Sequence, residues 1–252
     1  MGIGILKKIF YKDIPVENDK KRFKNVMEFS KGVIEESFGR KNYKEIFTVV
    51  KMLSDSIAYK NARTVVETYT AIPENNTTYI FLNLLTLDKL PNDMYKFLYG
   101  ETYKQLDVDD RLNIVLGSDP IITTVWEWRR FRDAIAKYGT ENTPWKQDKY
   151  NHEIDVFLPM GLSIVVNGNH SIASGMLKSE GTIEAGKGTP NYIYDVSGLY
   201  DFIEFDGLNY VSRRDKSILF KASSFEFGCI FEIGRLVEEK HISFTSKRRS
   251  FG

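Results

Sequence analysis

A chain of 252 residues with 42% hydrophobic and 27% charged side chains has enough apolar material for a core, which excludes a disordered polypeptide. Its 35 Lys and Arg stand against 34 Asp and Glu, a net charge of +1. The basic excess of a general nucleic-acid binder is missing, so at most weak, salt-sensitive DNA binding is expected. One cysteine, Cys229, and three histidines exclude an internal disulfide and a Cys/His zinc site.

The opening residues, Met1 to Leu6, lack the flanks of a cleaved signal peptide, and Leu6 stands where a myristoylation motif needs Ser or Thr. The longest apolar run, 79–87, is too short to span a membrane and is interrupted by Asn83. A cytoplasmic chain without membrane contact is expected.

The expected fold class is α+β, with a helical region over 1–118 packed on a smaller mixed domain over 119–252. Phe23, Val26, Met27, Val33 and Ile34 recur at helical spacing, as do Ile46, Phe47, Val50, Leu53 and Ile57. Shorter helices are predicted over 79–90 and 93–103. Another is predicted from Asp119-Pro120, with Ser118 or Asp119 as cap, Pro120 in the first turn and Gly139 as terminator. It would place Ile121, Ile122, Val125, Trp128, Phe131, Ala134 and Ile135 on one side.

Beyond about residue 150 the texture changes. Segments 152–158 and 162–166 predict a hairpin turning at Pro159-Met160-Gly161. A short helix follows over 171–179, closed by Gly181. Strands are predicted over 192–196, 202–205, 218–222 and 241–244, and a helix over 227–239. The run from Gly181 to Gly188 is nearly a P-loop, but Gly188 replaces the magnesium-holding Ser/Thr and no strand leads into it. It is read as a flexible lid from which Lys187 reaches a phosphate.

The stretch with most chemistry is Val165-Val166-Asn167-Gly168-Asn169-His170-Ser171. An apolar strand runs into a small polar turn that opens a helix, an arrangement that cradles anions on unpaired N–H groups favoured by the helix dipole. His170 can donate to a phosphate or act as general acid/base, and Ser171 can cap the helix or touch the ligand. The competing reading is a tight turn with His170 in a structural hydrogen bond. His152 precedes the hairpin and acts on the ligand only if the fold brings it to His170. Asp148, Glu153 and Asp155 are nearby carboxylates, with no spacing that singles out a metal site. Trp126, Trp128 and Trp145 lie among Arg129, Arg130 and Arg132, either as a base-stacking surface or as core aromatics under a solvated basic face.

At Asn167-Gly168-Asn169-His170, followed by Ser171-Ile172-Ala173, the chain resembles the ParB/sulfiredoxin-like superfamily. The resemblance implies a strand-turn-helix that holds nucleotide phosphates, CTP in the ParB clamps and ATP in sulfiredoxins. The superfamily's arginine after the histidine is Ser171 here, which weakens nucleotide binding unless Arg129 or Arg132 supplies the charge. The sulfiredoxin cysteine is replaced by Asn169, which argues against sulfinic-acid reduction. Trp126 and Trp128, Pro144-Trp145, Asn151-His152 and Asn167 to Ser171 together also resemble an uncharacterised bacterial and phage family.

The leading expectation is thus a protein that binds a nucleotide or other phosphate-bearing ligand, in phage–host conflict or nucleic-acid processing, with a divalent metal as an optional companion. The alternatives are a nuclease or nucleotide hydrolase using His170, and an interaction module with a vestigial cradle.

Overall fold

A computed structural model describes residues 18–40, 43–71, 104–106 and 111–244. The helices expected over 79–90 and 93–103 lie outside the described residues. The fold is α+β.

The expected hairpin is its centre. Strands β4 (Glu153–Leu158) and β5 (Leu162–Asn167) pair antiparallel, with Ile154 opposite Val165 and Phe157 opposite Leu162. Alternation sends Phe157, Leu162 and Ile164 to one face and Ile154, Val156 and Val165 to the other, and each face enters a separate core. Strand β7 (Tyr192–Asp195) lies parallel to β4, and β1 (Lys104–Gln105) pairs outside it. Strand β3 (Ile121–Ile122) lies parallel to β5, giving the order β1-β7-β4-β5-β3.

The first face is covered by α1 (Asp19–Arg40), α2 (Ile46–Thr68) and α5 (Phe225–Glu239), whose Ile34, Phe47, Val50, Leu53, Phe227 and Phe231 share one cluster with the sheet. A three-stranded antiparallel sheet, β8 (Ile203–Phe205), β9 (Asn209–Ser212) and β10 (Ile218–Lys221), adds Phe205, Tyr210 and Phe220 to that cluster. The second face is covered by α4 (Asn169–Lys178) and by a ribbon of β2 (Leu112–Val115) and β6 (Thr182–Ala185). Helix α3 (Trp128–Lys137) lies beside α4.

Three expected elements are corrected. No helix begins at Asp119-Pro120. Ile121 and Ile122 are both fully buried, one in each core, and neighbouring residues can face opposite ways only on a strand. The Asp119 carboxylate instead accepts the Val115 N–H at 2.7 Å, and α3 starts at Trp128 under the Glu127 carboxylate, which accepts the N–H groups of Arg129 and Arg130. The P-loop-like run is not a loop throughout, since its first half is β6, with Ile183 and Ala185 buried and Thr182 and Glu184 turned outward. Residues 241–244 form no strand: His241, at φ 52°, turns the chain after α5. The expected division at 118/119 also runs through shared cores rather than between them, because Ile34 to Leu53 pack with Phe157 and Phe231, and Ile114 and Leu116 with Val165.

Helix α5 is tied to β8 by a buried ion pair. Arg235 donates to Glu232 at 2.7 Å and to the carbonyls of Tyr200 and Ile203, while Glu232 also accepts the Phe205 N–H at 2.8 Å. Removing one partner strands a buried charge. Arg235→Ala is expected to lower stability by about 3–5 kcal/mol, read as the shift in urea unfolding midpoint at unchanged slope.

Candidate functional site

The turn after β5 depends on one glycine. Gly168 sits at φ +81°, and a Cβ there would lie 2.4 Å from the Asn151 carbonyl oxygen, so both the dihedral and the space demand the residue without a side chain. The Asn167 Oδ1 accepts the Gly168 N–H at 2.8 Å. The first rung of α4 is Ile172 N–H to the Gly168 carbonyl at 3.0 Å. The N–H groups of Asn169, His170 and Ser171 precede that rung and have no acceptor among the described residues.

Behind the turn the polar groups form a closed chain. The Asp148 N–H donates to His152 Nδ1 at 2.9 Å, which leaves the proton on Nε2. Nε2–H then donates to Ser171 Oγ at 2.7 Å, and the Ser171 hydroxyl donates to the Gly168 carbonyl at 3.0 Å. The imidazole is stacked on Trp145, with 4.7 Å between centroids, and the Trp145 Nε1–H donates to the Ser171 carbonyl at 2.9 Å. Burial holds His152 below its usual pKa, against the opposing pull of Asp148.

In front of the turn lies an open cleft of ≈ 390 Å³. The turn residues from Asn167 to Ser171 line it, and Arg130 and Lys137 face it from α3. Helices α3 and α4 run side by side in the same direction. Glu127, just before α3, meets His170 at the start of α4; Ser174 donates to the Ala134 carbonyl at 3.2 Å; and Lys178 Nζ bonds the carbonyls of Ile135 and Tyr138 at the far end. Two positive helix ends therefore meet at the cleft, one of them already capped by Glu127. Arg130 and Lys137 have no carboxylate partner among the described residues. The Arg130 guanidinium rests over the Trp126 ring, 4.8 Å from its centroid.

Of the expected ligand-binding residues, the fold gathers Asn167, Gly168, Asn169, His170 and Ser171 at the cleft. The Asn169 side chain is 5% exposed; its Oδ1 accepts the Thr124 N–H at 2.7 Å, and its amide nitrogen has no acceptor among the described residues. Ser171 offers the cleft its backbone only, because its hydroxyl faces backward. His152 is sealed behind the turn at 2% exposure, 19 residues before Ser171, and does not join His170 on a ligand. Arg129 points away, over Trp128, and Arg130 takes the place expected for it. Lys187 is no lid over this cleft; its segment follows β6, where its carbonyl accepts from Arg111 at 3.3 Å. Lys137 went unsuspected, although Arg130, Asp133, Ala134 and Lys137 have the spacing of one helix face once the helix begins at Trp128.

His170 is not poised as an acid or base. Its Nε2 accepts the Glu127 N–H at 3.2 Å, so its proton is on Nδ1. Burial and the charge of Arg130 push its pKa down to about 4, against the opposing Glu127. Among the described residues no three His, Cys, Asp or Glu side chains converge on a metal position, and no helix is long and apolar enough to cross a membrane.

Over residues 10–244 the chain matches the model of DUF6710, a family of unknown function. No curated protein and no solved structure matches it.

The depressed His170 pKa predicts a pH dependence. The unfolded chain takes up this proton below the usual 6.5, whereas the native state takes it up only near 4. The stability that His170 contributes is therefore complete above pH 6.5 and is lost as pH falls toward 4. Discounted for its partial exposure, the loss is about 1–2 kcal/mol. In urea unfolding at pH 7 and pH 4.5, the stability difference between wild type and His170→Asn should shrink by that amount at the lower pH.

Proposed function

The chain belongs to the DUF6710 family, whose function is unknown, and from the chemistry of the cleft we propose that it binds a small phosphate-bearing ligand, a nucleotide foremost. The observation that carries this reading is the convergence of donors. Three backbone N–H groups and the Asn169 amide lie at the start of α4, and Arg130 and Lys137, from the first and last turns of α3, line the same open cleft. Arg130 offers a planar, always charged fork and Lys137 a mobile point charge, a pairing suited to phosphate oxygens. The partly exposed Trp126 ring beside Arg130 gives a nucleobase something to stack on.

Binding is favoured over catalysis because the His170 lone pair is already engaged by Glu127, which leaves the histidine a fixed Nδ1–H donor. A nuclease or hydrolase would need a different base. The resemblance of the turn to the ParB/sulfiredoxin-like superfamily supports the same ligand class, with Arg130 restoring the charge missing at Ser171. The family resemblances alone suggest a setting in nucleic-acid processing or phage–host conflict. A divalent metal, where one takes part, would arrive with the phosphates.

A thermal-shift screen of the full chain with ATP, CTP, GTP, UTP and inorganic phosphate tests the proposal. A ligand at a hundred times its Kd should stabilise the protein by about 2.7 kcal/mol. Arg130→Ala and Lys137→Ala, on an exposed helix face, should each weaken binding about tenfold while leaving the unliganded melting point in place. If none of these anions raises the melting point at millimolar concentration, the proposal fails.

A further inference from the structure

We propose that His152 is a positioning residue for this cleft, acting through Ser171 on the peptide between Gly168 and Asn169. The inference rests on the reading of the cleft as an anion site, but the mechanics can be examined without a ligand. A trans peptide is planar, and its carbonyl and N–H point in opposite directions. The Gly168 carbonyl accepts from Ile172 N–H and from the Ser171 hydroxyl, both at 3.0 Å and both on the helix side. With that carbonyl drawn into the helix, the Asn169 N–H on the same peptide must point out of it, toward the cleft.

The Ser171 hydroxyl would otherwise be free to rotate. The His152 Nε2–H, 2.7 Å from Ser171 Oγ, occupies the oxygen as a donor and leaves the hydroxyl proton for the Gly168 carbonyl. His152 is held in that tautomer by the Asp148 N–H, and its ring plane is held by the stack on Trp145. Each bond polarises the next, so the chain directs the first amide of the cradle from a residue that never touches the cleft.

The test uses the full chain, inorganic phosphate as probe, and NMR. Ser171→Ala removes the hydroxyl. His152→Phe keeps a ring against Trp145 but has no N–H, and His152→Gln keeps an N–H at similar reach. Ser171→Ala and His152→Phe should each weaken phosphate binding about tenfold and lower the order parameter of the Asn169 N–H from about 0.85 toward 0.6, while the amides of β5 stay rigid. His152→Gln should stay within about threefold of wild type. The double variant His152→Phe/Ser171→Ala should bind no more weakly than Ser171→Ala, because the two act in series.

Wild-type affinity and an ordered Asn169 N–H in Ser171→Ala would overturn the inference, as would losses that multiply in the double variant. If His152→Phe does not fold, Ser171→Ala and His152→Gln make the same comparison. If wild type binds no phosphate while the variants still lose order at Asn169, the reading of the cleft fails and the positioning role stands.

Discussion

The stack of His152 on Trp145 is the contact on which the turn, the helix after it and the cleft all depend. Two planar rings lie flat against one another behind Ser171, and each presents one N–H to it, to the hydroxyl and to the carbonyl. The rest of that region adapts to these rings. Gly181, at φ +110°, leaves the space into which the Trp145 ring fits, since a Cβ would lie 2.3 Å from it. The Glu180 carboxylate accepts the backbone N–H of Trp145 at 2.9 Å. Buried polar groups are tolerable only when paired, and here the pairing fixes the geometry as well as offsetting desolvation.

A second constraint comes from the two parallel helices. Parallel neighbours cannot be joined by a short loop, so the chain between α3 and α4 contains the whole β4–β5 hairpin. Their carbonyl ends also coincide, where negative poles would gather. Lys178 lies at that end and bonds the last carbonyls of α3, which offsets the crowding. At the opposite end, only α3 receives a carboxylate cap. The imbalance leaves the start of α4 as the electrostatically unsatisfied end of the pair.

Much of this is visible in the chain, and the exceptions share a cause. The β4–β5 hairpin is legible because two short, largely apolar runs flank the Pro159-Met160-Gly161 turn, and the Asn-Gly turn is local chemistry. The segment after Asp119-Pro120 misleads because Ile121, Ile122, Val125 and Trp128 also fit a helical stripe, and only the parallel partner β5 makes a strand of the first two. That error shifts the start of α3, which decides whether Arg129 or Arg130 meets the cleft. Strand β6 is hidden because its four residues sit inside a glycine-rich run and gain their order from β2, about seventy residues earlier. The place of His152 depends on a contact across the hairpin, which spacing alone cannot supply.

Seen as an inheritance, the site divides into two layers of unequal freedom. Three of the donors at the start of α4 are main-chain N–H groups, which side-chain substitution leaves in place as long as Gly168 and the rings behind it are kept. Arg130 and Lys137 stand on an exposed helix face where replacement costs the fold little. On the proposed reading of the cleft, descendants of this chain would change which anion they prefer by altering two surface positions, while the capacity to attract an anion would pass down with the backbone.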